Sequence, residues 1–437
     1  MISKFFENFN YLSLIVIIII FYVTYYYYKY FNRINPLPGP FPIPFFGNLH
    51  QLFIFHGGSL KEFYNFNYKK YGDIFEVYFD TRSITLNSSE HIEKILSAST
   101  RNPYIMKLSE DDSKGYYELG VMGKGLLINQ EFKSWRYNRH FFTQAILSPK
   151  FVHEATYWTC KLFEELESYW NKLYFKGDNK NVLDFSLWSN QFTNDMIFTL
   201  LTGERSYSMA SYFNELSDNE KAERPSALID ETVKFVQAIR KYLMVAGTDT
   251  TANTISYIIY YLAHNPDVKK KMLNEIDRIF QGDKTRPITE NNLNNLKYCE
   301  AIAKEVSRIF SVVNSLPRCL ERPEEIAGYQ WPANTHVRIN IDAIHHNSEY
   351  WEEPEKFNPD RWLDEGFEPK KNSFIAFGKG LRICPGRKLA IIELVCLMSL
   401  LYRKYEIDLV NKDAPLKTLS FSITACTELL VEIRLRN

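Results

Sequence analysis

The chain has 437 residues, with 52 basic and 52 acidic side chains and a formal net charge of zero. This length allows one large or two small domains with a sizeable core, and the charge balance gives no electrostatic reason to expect a nucleic-acid partner. The six cysteines form no C-x-x-C pair, which argues against a zinc ribbon or a thioredoxin-like site, and their scatter fits a reducing compartment.

The amino terminus carries an apolar run that begins at Tyr11, continues through four isoleucines and ends in four tyrosines at 25–28. About twenty helical residues cross the apolar part of a bilayer, and tyrosine favours its interface. We therefore expect residues 1–33 to form a transmembrane anchor with its flanks. Lys29 and Arg33 follow the run, so the positive-inside rule predicts that the rest of the chain faces the cytosol. A cleaved signal peptide is the alternative, but no small-residue cleavage site follows the run.

Residues 34–48 contain alternating prolines, which hold a stiff, extended backbone. We expect this segment to be a hinge that stands a globular domain, residues 49–437, off the membrane. Residues 74–87 alternate between apolar and polar and predict a β-hairpin, whereas helical spacing dominates from about Ser134. The predicted fold class is therefore mainly α with a small β region. The clearest helical patterns cover residues 156–172, 232–264 and 267–280.

Trp135 and Arg139 are spaced as W-x-x-x-R, which places both on one face of a helix. A generic amphipathic helix is the alternative interpretation.

Residues 246–251, Ala-Gly-Thr-Asp-Thr-Thr, lie within the predicted helix 232–264. Glycine and several hydroxyl side chains are unfavourable there, and a threonine hydroxyl can bind a backbone carbonyl and open the helix. Such a conflict is expected at functional sites, although a polar helix kink without function would look the same.

Glu305 and Arg308 form an E-x-x-R pair on one helical face, and Arg361 lies in Phe-Asn-Pro-Asp-Arg-Trp, residues 357–362. Alone, such a pair is usually an exposed ion pair of little energetic value.

The most informative segment is residues 377–386, Phe-Gly-Lys-Gly-Leu-Arg-Ile-Cys-Pro-Gly. Its glycines let the backbone pass close to a flat ligand. Cys384 precedes an apolar run, residues 389–401, that predicts a helix. The amides at the start of that helix would stabilise a thiolate. The alternative is a buried structural cysteine in a glycine-rich turn.

Residues 377–386 resemble the haem-thiolate loop of the cytochromes P450, and the other motifs above resemble further segments of that family. The resemblance implies a P450 fold and a haem b whose iron is bound by the Cys384 thiolate, a ligand that favours O–O bond cleavage. It implies that Phe377 packs beside the ring near the sulfur and that Gly380 lets the backbone approach it. The residues it assigns to the haem propionates are Trp135, Arg139, Arg318 and Arg382.

The same resemblance implies that Thr250 holds water and oxygen near the iron while Asp249 supplies protons. It also implies that Glu305, Arg308 and Arg361 form a buried structural triad. The activity implied is monooxygenation of a small apolar substrate, with electrons from NADPH through NADPH-cytochrome P450 reductase. The haem domain would lie on the cytosolic face of the endoplasmic reticulum, anchored in membrane lipid.

The resemblance is weakest between Gly203 and Ala246, where this chain has several tens of residues fewer than is usual in the family. Residues 204–231 would form only a short roof over the substrate pocket, with a short piece at 213–222 and a break at Pro225. Two hypotheses follow: a monooxygenase, or a haem-binding or misfolded remnant without turnover.

Overall fold

The computed structural model describes residues 11–79, 81–96, 125–126, 129, 131–175, 181–218, 220–222, 231–421 and 423–436, with the backbone alone at residues 12 and 231–245. The helices are, in chain order, α1 (Tyr11–Phe31), α2 (Leu49–His56), α3 (Leu60–Tyr71), α4 (Glu93–Leu96), α5 (Phe132–Leu147), α6 (Pro149–Leu173), α7 (Phe185–Thr202), α8 (Ser208–Leu216), α9 (Glu231–His264), α10 (Pro266–Phe280), α11 (Glu290–Asn295), α12 (Lys297–Ile309), α13 (Ile341–His345) and α14 (Arg387–Lys404).

The strands are short and belong to four small sheets. They are β1 (Ile74–Tyr78), β2 (Arg82–Leu86), β3 (Val182–Asp184), β4 (Ser315–Cys319), β5 (Glu324–Ile326), β6 (Tyr329–Trp331), β7 (His336–Asn340), β8 (Tyr405–Leu409), β9 (Lys417–Ser420), β10 (Thr424–Glu428) and β11 (Leu430–Leu435). The largest sheet has the order β1-β2-β7-β4, with only β2 and β7 parallel. The predicted class, mainly α with a small β region, is confirmed.

Local sequence explains several element boundaries. The predicted hairpin at 74–87 forms from β1 and β2, which pair antiparallel. Helix α6 begins where the Ser148 side chain accepts a hydrogen bond from the Phe151 amide at 3.2 Å and Pro149 occupies the first turn. The helices predicted at 156–172, 232–264, 267–280 and 389–401 lie within α6, α9, α10 and α14.

The proline-rich segment at 34–48 packs on the first sheet rather than standing free. The Glu76 amide in β1 donates to the Pro38 carbonyl at 2.9 Å, and Leu37 is buried. A Cβ at Gly39 would overlap the Glu76 carbonyl, so glycine permits this close approach. The stiff proline-rich segment therefore packs along the edge of the first sheet.

Helix α1 contains a stretch, Ser13–Phe31, that is long and apolar enough to cross a membrane. Its carboxyl-terminal half contacts the folded domain. Tyr22 stacks on Phe45 with ring centroids 4.3 Å apart. Just beyond the helix, Arg33 pairs with the buried Glu76 carboxylate at 2.5 Å. These contacts tie the orientation of the helix to that of the domain.

The main core is built from α6, α7, α9, α10, α12 and α14. Helix α9 packs along α7, where a Cβ at Gly247 would come within 3.0 Å of the Ile197 side chain. Helix α14 packs against α6, α9 and α12, and its residues 393–403 are buried. A mostly apolar face on each of these helices is removed from water, which is the main stabilising contribution to such a domain. The loop before α14 therefore leads into a helix of the core.

Helix α8 holds much of the described part of the segment expected to roof the pocket, and it packs against α6 and α7. The buried Asp195 carboxylate accepts hydrogen bonds from the amides of Ser208 at 2.9 Å and Met209 at 3.0 Å, which caps the helix. Phe213 stacks on Tyr169 with centroids 4.7 Å apart. This short helix is thus a part of the core, while residues 223–230 lie outside the described ranges.

The buried triad inferred from the sequence is present. Arg308 donates to both Glu305 carboxylate oxygens, at 3.0 and 2.8 Å, and Arg361 Nε donates to the same carboxylate at 3.2 Å. The Trp362 indole and the Asn358 amide also donate to it, at 2.9 and 3.1 Å. A buried charge is tolerated only when it is compensated in this way.

Replacing Glu305 by glutamine keeps the shape of the side chain but leaves two guanidinium groups buried without their counter-charge. We expect Glu305→Gln to lower the free energy of unfolding by about 3–5 kcal/mol. Glu300→Gln is the matched control, because Glu300 lies on the same helix in a partly exposed pair with Lys304, and it should cost less than about 1 kcal/mol. Denaturant unfolding of both variants measures the difference, and equal losses would contradict a structural role for Glu305.

Candidate functional site

The loop at 377–386 is a tight, backbone-bonded turn. The Cys384 amide donates to the Phe377 carbonyl at 2.7 Å, and residues Gly380–Arg382 form one turn of 3₁₀ helix between them. Gly380 has a φ of +68°, and a Cβ there would overlap the carbonyl of Leu96. Glycine is therefore required at this position by the contact with α4, a reason that the sequence motif does not reveal.

The Cys384 thiol is exposed, although the protein atoms around it remove part of its hydration. Desolvation raises its pKa above the ordinary value, while the amides of Gly386 and Arg387 and the charges of Arg139 and Arg387 act in the opposite direction. Because desolvation prevails, the thiol keeps its proton at neutral pH in the free chain. A bound metal cation would displace that proton, since the thiolate is the ligand form.

Three arginines surround this loop. Arg139 on α5 donates from Nη2 to the Ile383 carbonyl at 2.6 Å. Arg318 on β4 is buried, and its polar contact is a 2.8 Å hydrogen bond to the carbonyl of Pro317. Desolvation lowers the pKa of Arg318 to about 10, and desolvation together with the other two arginines lowers that of Arg382 to about 10. Within the described part of the chain, none of the three makes a salt bridge.

Trp135 links α5 to this loop. The Arg382 guanidinium lies 3.9 Å from the centroid of the Trp135 ring, and the indole donates to the Leu126 carbonyl at 3.0 Å. Arg382 also donates to the Asn129 carbonyl at 3.3 Å. The spacing of Trp135 and Arg139 therefore brings both to the 377–386 loop.

The Ala246–Thr251 segment lies in the middle of a continuous helix, α9, which is in contact with α14. The Thr250 hydroxyl donates to the Ala246 carbonyl at 2.6 Å, as the hydroxyl-rich sequence suggested, but the helix is not broken there. Asp249 is half-buried, and desolvation raises the pKa of its carboxyl. A carboxyl with a raised pKa can hold and release a proton closer to neutral pH.

Two buried features of this region were not predicted from the sequence. Ser311 binds the His345 ring at 2.9 Å, and His345 Nε2 in turn accepts from the Ile375 amide at 3.0 Å. This chain of bonds ties the end of α12 to the start of the cysteine loop. Burial lowers the pKa of His345 to about 3, so it is neutral and structural.

The second feature that was not predicted from the sequence is Glu393. Its side chain is fully buried in α14, and neither carboxylate oxygen has a hydrogen-bond partner among the described residues. Burial raises the pKa of this carboxyl to about 8, so it is protonated at neutral pH. An acidic residue within the apolar run at 389–401 was the only signal in the sequence.

The side chains near Cys384 favour a ligand in which the metal is already coordinated by most of the atoms that it needs. Within the described ranges, no three His, Cys, Asp or Glu side chains are grouped as a protein-built metal site requires. Cys384 offers one sulfur donor, and the nearby arginines offer positive charge that no salt bridge to a described residue neutralises. A macrocycle that already holds its iron and carries carboxylates meets both conditions.

The family described as Cytochrome P450 has a sequence model that matches residues 37–224 and 205–433. Cytochrome P450 2U1 of Mus musculus is 32% identical over 216 residues, which cover 49% of this chain and 40% of that protein. Cytochrome P450 71D8 of Glycine max is 33% identical over 195 residues, or 44% of this chain and 38% of that protein. The chain thus spans well under two thirds of the length of these two relatives.

A longer match, to Cytochrome P450 71D2 of Catharanthus roseus, is 25% identical and covers 85% of this chain and 86% of that protein. A solved structure of the heme domain of a cytochrome P450DA mutant superposes with a TM-score of 0.73 and 18% identity, covering 93% of this chain and 98% of the other. This likeness confirms the predicted fold.

We expect the Glu393 carboxyl to make stability depend on pH. Its pKa is raised from 4.5 to about 8 in the folded chain, so the stabilisation is complete below 4.5 and is lost as the pH rises through 8. Glu393→Gln should remove this dependence and be a few kcal/mol more stable than the wild type at about pH 9. Thermal unfolding of the solubilised protein across this range measures it, with the exposed Glu368→Gln as control. Parallel profiles for wild type and Glu393→Gln would contradict the assignment.

Proposed function

The chain belongs to the cytochrome P450 family, and we propose that it is a haem-thiolate monooxygenase that inserts one oxygen atom into a small apolar substrate. The observation that carries this proposal is the convergence of one exposed thiol, Cys384, with three arginines that make no salt bridge within the described residues. That arrangement suits an iron macrocycle with two carboxylates.

In this proposal Cys384 would bind the iron of haem b as thiolate, and Arg139, Arg318 and Arg382 would bind the propionates. The bound haem supplies the oxygen-activating chemistry that the protein side chains lack. Trp135 keeps the Arg382 guanidinium in place by stacking against it at 3.9 Å. Phe377 and Gly380 would lie beside the ring, because the loop that contains them is closed by the hydrogen bond to the Cys384 amide.

On the substrate side, we assign proton delivery to Asp249 and Thr250. The raised pKa of the Asp249 carboxyl suits a group that takes protons from solvent and passes them on. The Thr250 hydroxyl donates to the Ala246 carbonyl, which leaves its oxygen lone pairs available to accept a hydrogen bond from water. The two residues would therefore hold a water and supply it with protons.

We assign electron supply to NADPH-cytochrome P450 reductase. A groove of about 460 Å³ runs along α5 beside Leu381. Most of its lining is apolar, and Arg136, Arg139 and His140 are among the lining residues. Arg387 and Lys388, at the start of α14, are also exposed. Positive charge on this side of the cysteine loop would attract an acidic surface of an electron donor.

We place the chain in the membrane of the endoplasmic reticulum with α1 as a single anchor and the haem domain in the cytosol. The apolar stretch Ser13–Phe31 supports the anchor, and Lys29 with Arg33 supports the orientation. Protease added to sealed microsomes should digest the domain without detergent. Protection of the domain until detergent is added would reverse the orientation.

We expect oxygen insertion to be poorly coupled to NADPH consumption. The described part of the segment between α7 and α9 includes α8, which fills the core against α6 and α7, so little chain is left to exclude water from the substrate side. With a reductase and ¹⁸O₂, product should carry one labelled oxygen atom, while most reducing equivalents end as peroxide or water.

The measurement is the ratio of product to NADPH consumed over terpenoid, fatty-acid and aromatic substrates, with Cys384→Ser as the background control. Tight coupling on any substrate would show that the short segment closes the site. Absence of labelled product on every substrate, with haem bound, would instead favour the non-catalytic remnant.

A further inference from the structure

A second apolar surface lies beside α1, on the first part of the globular domain. Three consecutive side chains near the end of α2, Phe53, Ile54 and Phe55, are 58%, 71% and 71% exposed. Phe45 and Phe46, in the loop before α2, are also exposed. These five side chains form what we call the α2 surface. Single exposed apolar side chains are normal, but a group of them marks a surface that another apolar phase covers.

The sequence around the α2 surface is free of charge. Residues 34–59 contain no Asp, Glu, Lys or Arg, although these four residue types make up 24% of the chain. Charged residues resume with Lys61 and Glu62 on α3. Protein interfaces usually have a polar and charged rim, whereas the apolar part of a bilayer excludes charge. The composition therefore favours lipid over a protein partner as the phase that covers the α2 surface.

Contacts with α1 show where the membrane lies relative to this surface. Tyr22 belongs to Ser13–Phe31, the stretch of α1 that is long and apolar enough to cross a bilayer. Its ring stacks on that of Phe45, with centroids 4.3 Å apart. Further along the same helix, the rings of Tyr27 and Phe41 stack with centroids 5.6 Å apart. When α1 spans a bilayer, Phe45 therefore lies at the depth of Tyr22 and cannot remain in the water outside.

The backbone of the loop before α2 also suits an apolar environment. Three of its residues have no N–H because they are prolines: Pro40, Pro42 and Pro44. Ile43 and Gly47 exchange two backbone hydrogen bonds, at 3.0 and 2.8 Å, and the Gln51 side chain donates to the Phe41 carbonyl at 3.1 Å. Hydrocarbon offers no hydrogen-bond partner, so backbone groups beside lipid must be satisfied within the protein. These bonds meet that requirement at the positions named.

We propose that the α2 surface inserts into the lipid bilayer beside α1, so that the globular domain is seated on the membrane rather than held away from it. The four phenylalanine rings and Ile54 enter the boundary between headgroups and acyl chains, as the apolar face of an interfacial helix does. This inference rests on the proposed membrane location of α1 and adds a second attachment to it. The domain is then fixed to the bilayer at two places, and the fold sets its orientation.

The test uses the haem-loaded full chain in phosphatidylcholine vesicles that contain a phosphatidylcholine with a diazirine on its acyl chain. Ultraviolet light converts the diazirine to a carbene, which inserts into the side chains that it touches, and mass spectrometry of the digested protein locates the adducts. The expected adducts lie on α1 and on the α2 surface. Val410 and Leu435 are matched controls, because both are exposed apolar side chains elsewhere on the domain, and neither should be labelled.

A double variant, Ile54→Glu with Phe55→Glu, should lower the labelling of Phe53 by about tenfold or more, because two apolar side chains leave the bilayer and two charges resist entering it. Labelling of α1 should stay unchanged. Val410→Glu with Leu435→Glu is the control pair and should leave the labelling of Phe53 as in the wild type. All four substituted side chains are exposed, and the wild-type labelling tests the proposal without any variant.

The pattern of adducts separates this proposal from that of the anchor. Adducts on α1 with none on the α2 surface would overturn the inserted surface and leave the anchor. Adducts on the α2 surface with none on α1 would refute the anchor and retain the surface, and no adducts on either would refute both. Labelling of Val410 and Leu435 as strong as that of Phe53 would also overturn the proposal, because the α2 surface would then have no special contact with lipid.

Discussion

The structure depends on keeping one sulfur, that of Cys384, available for ionisation while protein desolvates it. Desolvation raises the thiol pKa, and the amides at the start of α14 with the charges of Arg139 and Arg387 oppose it. The balance leaves a protonated thiol in the free chain, so a metal cation is needed to make the thiolate. Placing the sulfur at a helix amino terminus favours the thiolate and so assists metal binding.

The remainder of the fold fixes this sulfur relative to the arginines. Arg139 comes from α5, Arg318 from β4, and Arg382 from the cysteine loop itself, so helix and sheet must be held in one arrangement. The Glu305 carboxylate accepts from Arg308, Arg361 and Trp362 and joins α12 to the segment that leads into the loop. Burying charges of this kind costs free energy unless every charge is paired. This requirement favours one specific arrangement of α12 and the segment that it contacts.

Much of this could be predicted from the sequence, because the cysteine loop and the W-x-x-x-R and E-x-x-R motifs place their residues at fixed local spacings. The packing of the proline-rich segment could not be predicted, because it depends on Glu76 in β1, a strand that lies further along the sequence. The burial of Glu393 likewise depends on the helices around α14. The expected roof piece at 213–222 corresponds to a helix that begins earlier, at Ser208, because Asp195 caps it.

Arg318 was grouped with Arg382 through the family resemblance alone. Its position beside Arg382 follows from the sheet pairing of β4 with β7, which no spacing in the chain encodes.

The central claim is that Cys384 binds haem iron as thiolate. The most direct measurement is the absorption spectrum of the reduced, solubilised protein with carbon monoxide. The account predicts the red-shifted Soret band of thiolate ligation in the wild type and its loss in Cys384→His. A wild-type spectrum typical of histidine-ligated haem would contradict it.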